Sequence, residues 1–145
     1  MTDTVDFERS PSFLISVLTN RMMRRASQEL RSAADVSTTE WAVIAMAAAE
    51  PGAPPLRVIE ISALDKSVVS RAIKALEVRG LIAVRTNPSH RRKTALFLTA
   101  TGEKVHNICL AHNRAGDARM FAGMNEETVA KTVALFHRLL DQFEI

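Results

Sequence analysis

The sequence predicts a mainly α-helical (α+β) fold, a winged helix-turn-helix module set between long helices. Three observations carry this. Residues 65–80 are two-faced at helical period, with Val69, Ala72, Ile73 and Leu76 at i, i+3, i+4 and i+7 forming one apolar stripe. Before them, Leu56, Ile59, Ile61 and Leu64 supply a shorter helix, and Ala63-Leu64-Asp65 supplies the turn. After them, residues 81–85 and 94–99 read as two short strands around Thr86-Asn87-Pro88-Ser89-His90-Arg91-Arg92-Lys93, a turn-forming run that ends in three cations. Helix, turn, helix, strand, basic loop and strand, in that order, make a winged helix-turn-helix.

Each element has its own local signals. Ser10-Pro11 opens the first helix, with serine as N-cap and proline at the first helical position. Phe13, Leu14, Val17, Leu18, Met22 and Ala26 then run at three- and four-residue steps to about residue 34, while Arg21, Arg24, Arg25 and Arg31 lie mostly off that stripe. Ser37-Thr38-Thr39-Glu40 is a capping box that opens a second helix over 38–49, with Trp41, Ile44, Ala45 and Ala48 expected to face inward. Glu50-Pro51-Gly52-Ala53-Pro54-Pro55 breaks it. Asp65 is expected to cap the 66–79 helix through its carboxylate, and Gly80 to stop it as a left-handed residue. Thr99 caps a long helix reaching about residue 121, with Val105, Ile108, Cys109, His112 and Met120 inward. Asn125-Glu126-Glu127 caps the last helix, 126–143, whose broad apolar face comprises Val129, Val133, Phe136, Leu139, Leu140 and Phe143.

At 145 residues the chain is long enough for one domain with a real core. Its 47% hydrophobic and 24% charged content is that of a folded protein. A single cysteine, Cys109, excludes an intramolecular disulfide framework and fits a reducing cytoplasm. The acidic start, Met1-Thr2-Asp3-Thr4-Val5-Asp6, does not read as a secretory signal, and no apolar run approaches membrane-spanning length. Charge is segregated. Residues 57–104 hold ten cations and four anions, a net +6 that leaves −3 elsewhere. A basic middle between acidic ends places the positive field on the two-faced helix, as a nucleic-acid reader requires and an ordinary solvated surface does not.

The residues also resemble a known family. Leu64-Asp65-Lys66-Ser67-Val68-Val69-Ser70-Arg71, Leu76-Glu77-Val78-Arg79-Gly80-Leu81-Ile82, Asn87-Pro88-Ser89-His90-Arg91-Arg92-Lys93 and Leu96-Phe97-Leu98-Thr99-Ala100-Thr101-Gly102 are similar to the MarR family of bacterial transcriptional regulators. The motifs cover about a third of the chain. The family's wing carries an acidic residue that braces its arginines; here His90 stands in that place.

These features lead to one functional expectation: a homodimeric transcriptional regulator of double-stranded DNA, in the resemblance usually a repressor. Residues 37–99 would form the DNA-binding module, and residues 1–36 and 100–145 a helical dimerisation region, whose apolar surface exceeds what the module can cover. In the major groove, Lys66, Ser67, Val68, Ser70, Arg71 and Lys74 are the candidate contacts, since arginine bonds guanine bidentately, serine bonds several base edges and valine touches a thymine methyl. Serines near the helix start can equally hold phosphates. On the wing, Arg91, Arg92 and Lys93 would reach the minor groove or its phosphates, and the resemblance points to Arg91 for insertion. It also implies a small aromatic acid as effector, with Phe13, Met23 and Trp41 as pocket candidates. A winged-helix module that binds protein instead of DNA is the alternative, against which the wing cations argue. Enzymatic chemistry has little support. His90, His106, His112 and His137 lack catalytic or metal-ligand spacing, and no phosphate loop or nucleophile elbow is present. No cofactor or metal is expected, and Cys109 reads as a buried helical residue rather than a redox sensor.

Overall fold

The computed structural model describes residues 2–86 and 94–143, and its elements follow the order α1 (Pro11–Ala34), α2 (Thr38–Ala49), α3 (Pro55–Ser62), α4 (Lys66–Val78), β1 (Ile82–Thr86), β2 (Thr94–Leu98), α5 (Ala100–Met120) and α6 (Glu126–Asp141). The chain divides into two compact units, Met1–Asn113 and Arg114–Ile145.

Local capping chemistry explains most boundaries. The Ser10 hydroxyl accepts from Phe13 N–H at the start of α1. At α2, Ser37 Oγ accepts from Glu40 N–H (3.1 Å) while Glu40 Oε2 accepts from Ser37 N–H (2.9 Å), the reciprocal box that the sequence announces. Asn125 Oδ1 accepts from Thr128 N–H (2.8 Å) at α6. Gly80 follows α4 at φ +69°, where an L side chain is strained. Asp65 does occupy the N-cap of α4, but its carboxylate makes no capping hydrogen bond, contrary to expectation. The residue sits in a tight turn after Ala63, itself left-handed at φ +54°, and is exposed to solvent.

In the first unit, the core gathers Leu30, Val36, Val43, Ile44, Val58, Val69, Ile73, Leu76, Leu81, Ile82, Leu96 and Cys109. The apolar stripe of α4 is wholly inside it. The buried positions of α2 are Glu40, Val43, Ile44, Met46 and Ala47, whereas Trp41, Ala45 and Ala48 are only half-buried. A helix that is almost continuously apolar gives periodicity nothing with which to choose a face. β1 and β2 pair antiparallel, Ile82 opposite Leu98 through Thr86 opposite Thr94. Gly52 N–H donates to Leu96 O and Leu96 N–H to Ala53 O, so the segment after α2 lines the outer edge of β2.

Thr99 and Gly102 join this hairpin to α5. Thr99 Oγ1 accepts from Gly102 N–H (3.0 Å) and donates to Gly80 O (2.6 Å). A Cβ on Gly102 would lie 1.9 Å from Leu81 O, so only glycine lets α5 begin so close to β1. Cys109 is fully buried, whereas Ile108, expected inward, is 43% exposed. α1 leaves Phe13, Leu14, Leu18 and Met22 exposed, and in the second unit α6 buries no residue at all. Among the described residues no helix is long and apolar enough to cross a membrane.

Candidate nucleic-acid interface

α3, the turn at 63–65 and α4 form the helix-turn-helix. Ser62 helps to close the turn, its hydroxyl donating to Val58 O (2.6 Å) and accepting from Leu64 N–H (3.3 Å). The burial of Val69, Ala72, Ile73 and Leu76 fixes which face of α4 looks out. On that outer side Lys66, Ser67, Ser70, Arg71 and Lys74 are all exposed, and Val68 is half-buried at their edge. Among the described residues none of their side chains has a hydrogen-bonding or ionic partner. The structure therefore brings the five polar α4 candidates to the exposed side of one helix and leaves Val68 at its border with the core.

Not every cation of the basic segment is free. Arg57 clasps Glu50 through Nε and Nη2, both at 3.0 Å, and reaches Glu60 at 3.5 Å. These hydrogen bonds hold the Glu50 carboxyl below its ordinary range and push the Arg57 guanidinium up. Arg85, at the wing end of β1, lies over the Phe97 ring at 4.9 Å. Arg79 is committed within the chain: its Nη1 donates to Asp35 O (2.8 Å) and stands 3.6 Å from Glu40 Oε2. Sequence reasoning assigned Arg79 no role, because its partners lie about forty residues upstream and no local pattern links them. Arg91, Arg92 and Lys93, with His90, fall outside the described residues.

The effector candidates are placed apart. Phe13 packs on Phe7, with ring centroids 4.6 Å apart, and Trp41 stacks on His106 at 5.6 Å. Met23 is exposed ten residues along α1 from Phe13, about 15 Å down the axis at the α-helical rise. An open cavity of ≈ 460 Å³ along α1 is lined by Arg21, Arg24, Arg25, Gln28 and Glu29, and by none of these three.

The MarR family model matches residues 34–93, the span from the end of α1 through the wing. The transcriptional regulator HosA of Escherichia coli O127:H6 is 30% identical over 107 residues, 74% of this chain and 79% of that one. The HosA sequence of Escherichia coli O111:H- is 30% identical over 71 residues, and there the chain spans about half (53%) of its length. Among solved structures, PcaV of Streptomyces coelicolor, crystallised with its natural ligand, superposes with a TM-score of 0.84 at 24% identity, over 99% of this chain and 100% of that one. Winged helix, helix order and family model agree, and the chain belongs to the MarR family of transcriptional regulators.

Proposed function

We propose that this regulator works as a homodimeric repressor on a pseudo-palindromic operator. α4 enters the major groove, and the 86–93 wing lies along the minor groove. The single observation that carries this reading is the outer side of α4: two serines and three cations, exposed and without a partner among the described residues, on a helix whose opposite side is core. A helix packed in that way spends its apolar half on the fold and keeps its polar half for a partner rich in hydrogen-bonding edges and negative charge. Residues 37–99 act as the reading module. Residues 1–36 and 100–145 act as the dimerisation region, since α1 exposes Phe13, Leu14, Leu18 and Met22, and α6 exposes Val133, Phe136 and Leu140. Apolar side chains in such number mark a surface that a second copy covers.

A small aromatic acid is the proposed effector; Phe13, Met23 and Trp41 stay its candidate contacts, although one chain does not bring the three together around a single cavity. Family resemblance supports the aromatic acid, and PcaV, crystallised with its natural ligand, supports only that a similar protein takes an effector. The test of the whole reading is titration of the purified protein against its own upstream promoter and against a random duplex at several salt concentrations. Tight, sequence-preferring and salt-steep binding is expected. Weak binding without preference, even at low salt, would turn the reading toward a winged-helix module that docks on protein.

A further inference from the structure

We infer that Arg79 is a positioning residue: it bolts the C-terminal end of α4 to the corner between α1 and α2 and so sets the angle at which α4 is presented. The inference deepens the operator reading and rests on it. Arg79 is the C-cap residue of α4, followed at once by Gly80 and the wing hairpin. Its guanidinium donates through Nη1 to Asp35 O (2.8 Å) and through Nη2 to Ala34 O (3.5 Å). Those two carbonyls end α1, where no further turn of helix can satisfy them and where the helix dipole favours a cation. The same Nη1 lies 3.6 Å from Glu40 Oε2, the oxygen that also accepts from Ser37 N–H to open α2. Glu40 is the buried charged residue of this core, so its carboxylate is held in place by packing as well as by the capping box.

One side chain therefore meets the end of α1, the start of α2 and the end of α4. Apolar packing of Val69, Ile73 and Leu76 holds α4 against the core but is non-directional, and it tolerates small rotations of the helix. A planar guanidinium fork bound to two carbonyls and a carboxylate does not. α1 belongs to the proposed dimerisation region and α4 is the proposed reader. The angle fixed by Arg79 thus sets the separation of the two reading helices, and with it the half-site spacing.

Two measurements test this. Nitroxides at Ser32→Cys on α1 and Asp65→Cys before α4, both exposed, report the α1–α4 distance by pulsed electron spin resonance; Cys109 is buried away from the label. The chain with Arg79 should give a narrow distribution, and Arg79→Met a clearly broader or shifted one. In parallel, unlabelled protein is titrated against operators whose half-site spacing is varied by one or two base pairs. Arg79→Met should lose roughly tenfold in preference for the optimal spacing, the scale of losing charge-assisted hydrogen bonds, while its affinity for random duplex holds. Should Arg79→Met fail to fold, Arg79→Lys, which keeps the charge but not the fork, should show the same broadening in smaller degree. A distance distribution unchanged in both width and position, or an affinity loss equal at every spacing and on random DNA, would overturn the proposal. The distance measurement needs no DNA. If the unaltered chain shows no sequence preference but Arg79→Met still broadens the distribution, the operator reading falls and the strut stands.

Discussion

Arg71 occupies the middle of the exposed side of α4, one helical turn after Ser67 and just before Lys74, with no partner among the described residues. Its guanidinium is therefore uncommitted and can take a guanine edge bidentately. Arg71→Ala should weaken specific binding by about 1–3 kcal/mol and relax the preference at one base position. An equal loss on operator and random duplex, measured side by side, would make Arg71 a phosphate contact instead. Cys109 shows the opposite situation. It is fully buried, and desolvation pushes its thiol above the ordinary range, so little thiolate exists near neutral pH. A disulfide reagent should label it far more slowly in the native protein than in denaturant; equal rates would reopen a redox role. Both placements were legible in sequence, because helical period alone assigns Arg71 outward and Cys109 inward. The bond of Arg79 to Asp35 was not, because it depends on how α4 packs rather than on any neighbour in the chain.

Helix ends were the most legible elements because their chemistry is local. The Ser37–Glu40 box, the Ser10-Pro11 start and the Asn125 cap each need only three or four consecutive residues, and each forms as written. Facing was harder wherever composition was uniform. In α2 alanine, valine and methionine surround the axis, so the inward set became Val43, Ile44, Met46 and Ala47 through contact with elements far along the chain. Asp65 is the counter-example among caps: the residue type is right, but the turn leaves its carboxylate unbonded. The junction of β2 with α5 gives the sharpest prediction at this scale. Thr99 ties the hairpin's end to the Gly80 carbonyl, and Gly102 admits the backbone of Leu81. Gly102→Ala must move α5 or β1, because the atom in the way is a backbone carbonyl rather than a yielding side chain. A loss of about 3 kcal/mol is expected in denaturant unfolding. A variant as stable as the parent would mean that the close approach is not maintained in solution.

At the scale of the molecule, charge and apolar surface are sorted to different parts of the sequence, and the proposed function couples them. Six cations of each chain are assigned to DNA in the proposed function: Lys66, Arg71 and Lys74 on α4, and Arg91, Arg92 and Lys93, which fall outside the described residues. If half of them meet phosphates in a complex with two chains, the logarithm of affinity should fall with the logarithm of salt at a slope of about −5. Under the proposal that slope depends on two chains acting together, which makes it a reporter of the apolar surfaces proposed to join them. Phe136 on α6 is 41% exposed, and α6 has no fully buried residue, so a charge there is expected to cost the single chain little. Phe136→Glu should therefore leave a folded chain with the mass of one copy in light scattering, bind the operator more weakly, and show a salt slope of about half the parent's. A variant that remains a dimer would locate the interface elsewhere. One that is a single chain yet keeps the full slope would show that a single module makes all the phosphate contacts, and the two-helix reading of an inverted repeat would have to be abandoned.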